Sequence, residues 1–170
     1  SNDTKLCATG ASDGTVRFWD LAAANATFER TMDPAEAAKA LLDKKLGDWR
    51  LFDKVGVADL ALSPDAGTLV AAGANGEIKI AKVQGREIIK TFKGHDTKIM
   101  ACMMSPDGQK FATVGADNVI IAWDLAGKEL RRWDLGRHQK MFLVNLAFSN
   151  DSRQIVTANA NTTVYVLDLP

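Results

Sequence analysis

With 170 residues, 46% of them hydrophobic and 25% charged, the chain has ordinary globular composition and enough apolar material for one domain with a sizeable core. Lys plus Arg and Asp plus Glu both total 21, a balance that argues against a global pull toward nucleic acid or an anionic membrane. No apolar run approaches the roughly 20 residues that span a bilayer, and no charged-then-apolar signal peptide opens the chain. Two cysteines, Cys7 and Cys102, are too few for a disulfide framework and sit in apolar runs. They read as small buried hydrophobes, which fits a cytoplasmic setting.

In chain order, the first element is "CATGASDGTVRFWDL" from Cys7: a short strand, an Asp-Gly turn and an alternating second strand, hence a hairpin. The next segment, "TMDPAEAAKALLDKKLGDWRLF", breaks the strand pattern. Asp33 suits an N-cap, Pro34 the first helical position and Glu36 a capping box. Ala37 through Leu46 are mostly good helix formers and Gly47 a stop, so the segment predicts a helix over 34–47. Its apolar face is Ala38, Leu41, Leu42 and Leu46, with Trp49 and Phe52 anchoring its exit.

Beyond it, three strands end in similar turns, "VADLALSPD", "IMACMMSPDG" and "LVNLAFSND". Each is followed by a hairpin: "VAAGANGEIKIAKV" from Val70, "FATVGADNVIIAWDL" from Phe111 and "IVTANANTTVYVLDL" from Ile155. The turn serines Ser63, Ser105 and Ser149 lie 42 and 44 residues apart. A period of about 40–45 residues with four strands per unit is the sequence pattern of a propeller blade. From Asp20 to Lys82 the same interval stretches to 62 residues, so the helical segment is an insertion.

The Gly94-His95 pair, the "SPDG" turn at Ser105–Gly108 and the Trp123-Asp124 ending, with Trp19-Asp20 ending another unit, resemble the WD-repeat β-propeller family. The resemblance implies an all-β arc of about three and a half four-stranded blades with one short inserted helix. Its expected units are an incomplete blade I over 5–33, the helix at 34–47, blade II over 56–93, blade III over 94–136 and an incomplete blade IV over 138–169. The insertion is expected to join the outer strand of blade I to the inner strand of blade II. The resemblance also implies a structural tetrad of His95, Thr113, Asp117 and Trp123, with Thr9, Asp13 and Trp19 as its remnant in blade I. Blade II offers Asp53, Ala71, Asn75 and Ala81 at those places, and blade IV Thr157, Asn161 and Leu167 with His138 one residue out of register.

A Thr–His–Asp set invites comparison with a catalytic triad, but Thr113 lies mid-strand with no Gly-rich elbow beside it. Two histidines 43 residues apart, without an Asp/Glu cluster, do not suggest a metal site, and no phosphate loop occurs. No cofactor is expected. In "KELRRWDLGRHQK", Lys128, Arg131, Arg132, Arg137 and Lys140 outnumber Glu129 and Asp134 and read as a solvated outer edge rather than a nucleic-acid patch. The resemblance implies partner binding on the face around the central channel, carried onto Ser12, Lys98, Met100, Ala116, Phe142, Val144 and Ala160. The expected function is a non-catalytic protein–protein interaction scaffold of bacterial type. The alternative is an enzyme or small-molecule binder using the channel. Since closed propellers have four to eight blades, the chain is read as part of a longer propeller or as one that closes by self-association, two copies supplying about eight blades.

Overall fold

A computed structural model describes residues 5–21, 45–135, 143–159 and 162–170. Among them every regular element is a strand, and each strand pairs antiparallel with the next in its unit, giving four meanders. Blade I is β1 (Leu6–Gly10), β2 (Thr15–Asp20) and β3 (Lys45–Arg50). Blade II is β4 (Val57–Leu62), β5 (Thr68–Gly73), β6 (Glu77–Lys82) and β7 (Glu87–Lys93). Blade III is β8 (Ile99–Met104), β9 (Lys110–Gly115), β10 (Val119–Asp124) and β11 (Glu129–Asp134). Blade IV is β12 (Leu143–Phe148), β13 (Gln154–Asn159) and β14 (Val164–Asp168).

The blades stack face to face in chain order, because the middle strands of the interior blades are apolar on both sides. From β9 and β10, Phe111, Val119, Ile121 and Trp123 pack toward blade II with Val70, Ala72, Ile78 and Ile80. The alternate residues Ala112, Val114, Ile120 and Ala122 pack toward blade IV with Leu146 and Ile155. Val16 and Phe18 of blade I meet Leu69 and Ala71 of blade II in the same manner. The result is an arc of blades that is not closed.

The insertion is where expectation and structure part. Lys45, Leu46 and Gly47 do not end a helix. They open β3, which pairs with β2 in the register Phe18↔Gly47, Val16↔Trp49 and Thr15↔Arg50. Residues 34–44 of the expected helix lie outside the described residues. The insertion therefore falls between two strands of blade I, not between blades I and II, and blade I extends to Arg50 rather than to 33. Helix propensity at Lys45 and Leu46 is worth a few tenths of a kcal/mol each. Pairing β3 along the edge of β2, with Trp49 against the blade I–II core, outweighs it.

Turns repeat as closely as strands. Ser63, Ser105 and Ser149 each accept the N–H of the residue five further on, at 2.8, 3.0 and 2.9 Å, while their hydroxyls donate to Asp65, Asp107 and Asp151. Between the second and third strands of blade II, Gly76 has φ +85°, and its carbonyl accepts from Gly94 at 3.0 Å and His95 at 3.2 Å. A Cβ there would lie 2.1 Å from the His95 carbonyl oxygen and 2.6 Å from that of Thr97. Gly85 has a similar φ of +79°, but a Cβ there meets nothing within 4 Å. Gly76→Ala is therefore expected to cost about 2 kcal/mol or more, and Gly85→Ala only the left-handed penalty of about 1 kcal/mol. Equal shifts in the denaturant midpoint would refute this account of the corner.

Candidate functional site

The blade III network forms around one hydroxyl. Trp123 Nε1 donates to Thr113 Oγ1 at 2.9 Å, and His95 Nε2 lies 2.8 Å from the same oxygen. Register sets this up, because Thr113 and Trp123 project from neighbouring strands onto the face toward blade II. Gly94 and His95, held on the Gly76 carbonyl, bring the imidazole in from above. Thr113 is fully buried, so its hydroxyl is committed to holding the blade and is closed to a substrate. Asp117 stands further off, with Oδ1 at 3.9 Å from His95 Nδ1, and that oxygen accepts the Val119 N–H at 3.1 Å. Asp117 therefore caps its turn and faces the imidazole electrostatically rather than completing a four-member chain of hydrogen bonds. A carboxylate beside Nδ1 favours the proton on that nitrogen, which leaves Nε2 to accept from Thr113.

Burial pushes the His95 pKa below its ordinary value of 6.5, and the Asp117 charge opposes that shift only in part. The unfolded chain thus takes up a proton near 6.5 that the folded blade refuses. Stability is expected to be full above that pH and to fall as pH drops below it. His95→Gln should flatten this slope. His138, the only other histidine, is common to both proteins, so the difference between their denaturation curves reports His95. Parallel pH profiles would sink the prediction.

Blade I keeps the same bond in the open: Trp19 Nε1 donates to Thr9 Oγ1 at 2.9 Å, and Asp13 caps Thr15 at 2.9 Å. Blade II has replaced the network. Leu51 and Phe52 donate to the Gly14 carbonyl as Gly94 and His95 do to that of Gly76, so Phe52, not Asp53, holds the histidine position. Ala71 and Ala81 stand where Thr113 and Trp123 stand in blade III. Beside them Lys79 donates to the Leu51 carbonyl at 2.7 Å, with its amine 5.0 Å from the centre of the Phe52 ring. This latch escaped sequence reasoning, although a lysine inside an otherwise apolar strand was its signal. In blade IV, Thr157 accepts from the Tyr165 N–H at 3.2 Å and lies 3.4 Å from Asn159 Nδ2, while Asn161 and His138 lie outside the described residues.

Of the expected partner-binding residues, the structure brings Ser12, Lys98, Met100 and Ala116 to the surface. The Ala116 N–H donates to the Lys98 carbonyl at 2.8 Å, placing the strand entry beside the turn. Met100 is 51% exposed although its neighbour Ile99 is fully buried. A register shift explains this: Ile99 pairs with Gly115 and Ala101 with Val114, so Met100 is the extra residue of a β-bulge and is aimed outward. Ala58 and Val144 occupy the same bulge position in β4 and β12. The side chain of Val144, like Phe142 and Ala160, lies outside the described residues.

The cationic rim is largely engaged with protein. Arg131 reaches the Asp168 carbonyl of blade IV at 3.0 Å, and Arg132 grips Glu129 through two contacts of 2.8 and 3.1 Å. Arg86 likewise reaches the Asp48 carbonyl of blade I at 2.7 Å, and Lys90 that of Ala126 in blade III. Arg137 and Lys140 lie outside the described residues. Cys102 is buried, as expected, whereas Cys7 is only half-buried, and both are free thiols. Among the described residues, no group of three or more His, Cys, Asp or Glu could hold a metal ion.

Antiparallel meanders stacked face to face, each tied at its corner to the next, define a β-propeller-class repeat protein. The family profile described as "WD domain, G-beta repeat" matches residues 1–20 and 86–124. The chain is 28% identical to Protein HIR1 of Candida albicans, over 98% of this chain and 21% of that protein. It is 26% identical to Cilia- and flagella-associated protein 52 of Mus musculus, over 69% of this chain and 22% of that protein. It is also 32% identical to Protein groucho of Drosophila melanogaster, over 44% of this chain and 10% of that protein. The chain is thus similar to WD-repeat proteins, with the family pattern itself matched over residues 1–20 and 86–124. It spans about a fifth of the length of the first two relatives and a tenth of the third. All three are eukaryotic, so they lend no support to the expected bacterial type.

Proposed function

We propose that the chain is a non-catalytic protein–protein interaction scaffold, docking its partner on the face that carries Ser12, Lys98, Met100 and Ala116. The observation that carries this reading is the bulge that turns Met100 outward from a strand whose other residues are buried or half-buried. A methionine is an adaptable apolar contact, and the exposed Lys98 beside it supplies one cation for orientation. The one constellation that looks catalytic supports the same reading, because its hydroxyl is buried and already engaged by Trp123 and His95.

A photo-crosslinking residue placed at Met100, with a control at the exposed rim residue Ile89, tests the proposal in an extract of the source cells. A discrete adduct is expected at position 100, absent at position 89 and weakened about tenfold by Lys98→Glu, the order of a hot-spot loss. No adduct at position 100, or the same adducts at both positions, would overturn the assignment of this face.

A further inference from the structure

The inner strands β4, β8 and β12 each lie at the edge of their sheet, and each carries the same bulge, at Ala58, Met100 and Val144. An edge strand leaves main-chain N–H groups without a neighbouring strand. Two residues beyond the bulge, the N–H is met by a side-chain oxygen in all three blades. In blade II, Leu60 donates to Asp59 Oδ1 at 2.9 Å, and in blade IV Leu146 donates to Asn145 Oδ1 at 2.8 Å. Both of these caps come from the preceding residue of the same strand. Blade III has Ala101 at that place, paired with Val114 as Asp59 is with Ala72 and Asn145 with Ala158. An alanine has no oxygen to offer. There the Cys102 N–H donates instead to Asp59 Oδ2 of blade II, at 2.8 Å.

One carboxylate thus serves two inner strands, with one oxygen on its own blade and the other on the next. Only a carboxylate can do so, because an amide offers a single acceptor oxygen and a nitrogen that only donates. Cys102 is buried, so losing that acceptor leaves a donor poorly placed to turn to water.

We propose that Asp59 is a positioning residue for the Met100 face, fixing the β8 bulge from the neighbouring blade and so setting how Met100 is presented. Met100 lies between two anchors: Ile99, fully buried and paired with Gly115, and Cys102, held by Asp59. Without the second anchor the bulge is fastened on one side only. The face is then a property of two blades rather than of β8 alone. Its use in partner binding rests on the scaffold reading above, whereas the cap itself needs no partner.

Asp59→Asn in the 170-residue chain tests the proposal. Asn145 shows which bond an asparagine makes at this place, the one to the next residue of its own strand. The variant is therefore expected to keep the Leu60 cap and lose the Cys102 cap. Amide exchange followed by NMR should accelerate about tenfold or more at Cys102, the scale of losing a charged acceptor, and less than about twofold at Leu60. The Met100 methyl resonance should shift in the same variant. Adding Ala101→Asn gives blade III the cap that blade IV has, and should bring both signals back. A crosslink from position 100 should follow the same course, weakened and then restored. Circular dichroism checks folding, and the Asp59→Asn comparison stands by itself if the double variant does not fold. Unchanged exchange at Cys102, or a Met100 methyl that ignores the loss of the cap, would overturn the role of Asp59. A wild-type chain with no adduct at position 100 would count against the scaffold reading alone, since the two NMR signals are read without a partner.

Discussion

Phe111→Ala is expected to cost about 3–5 kcal/mol, the range for deleting a fully buried phenylalanine. Phe111 has no exposed surface and sits where three strands converge, paired with Met104 of β8 on one side and Trp123 of β10 on the other. Its ring stacks on the Trp123 indole, with centroids 6.3 Å apart and planes 18° from parallel, and Phe92 of the neighbouring blade meets the indole edge-on at 5.0 Å. Removing it leaves a cavity between two sheets whose backbones are fixed by ladder hydrogen bonds, so collapse is limited. A domain with about 5–15 kcal/mol of total stability loses a large share of it. The measurement is the urea midpoint at constant slope. A loss below about 1 kcal/mol would mean that the blade II–III core does not hold the arc together.

The repeat was legible because its signals are local: serine turns at 42- and 44-residue intervals, hairpin turns and alternating strands. Those features specify blades one at a time. Non-local pairing was not legible. Lys45 and Leu46 follow a run of helix formers, and nothing beside them in sequence announces that β2, some 25 residues earlier, offers an open edge. The same limit applied to blade II, where Asp53 was read into the histidine position although main-chain hydrogen bonds seat Phe52 there. Ser12, Lys98, Met100 and Ala116 were chosen by family register, and all four are exposed. The reason Met100 is exposed, a bulge that adds one residue to β8, depends on the partner strand and has no signature in the sequence of β8 alone. Arg131 and Arg132 read as a solvated edge and are exposed, and from there they contact a carbonyl of the next blade and a carboxylate of their own strand.

Thr113→Val should cost about 2–4 kcal/mol, despite replacing one β-branched side chain by another of nearly equal volume. The arithmetic rests on what is left behind. Trp123 Nε1 and His95 Nε2 both use the Thr113 oxygen, and both residues are buried beyond the reach of compensating water. An orphaned buried polar group costs about 1–3 kcal/mol, and two are created at once. Thr9→Val in blade I is the matched control. There Trp19 donates to Thr9 with the same 2.9 Å geometry, but the bond is exposed, so water replaces the hydroxyl and the change should cost under about 1 kcal/mol. Thr113→Ser retains the hydroxyl and should recover most of the loss, leaving only the term for one methyl group. The comparison also separates two explanations of why this network persists in blade III and not in blade II. If it stabilises only through buried hydrogen bonds, a His95→Phe, Thr113→Ala, Trp123→Leu combination imitating the apolar solution of blade II should cost less than Thr113→Val by itself. Polar groups removed together leave no orphan, as Phe52, Ala71 and Ala81 show in the neighbouring blade. If the triple variant is instead the less stable of the two, then the packing of the Trp123 indole against Phe92 and Phe111 carries the blade, and the hydrogen bonds serve to orient it.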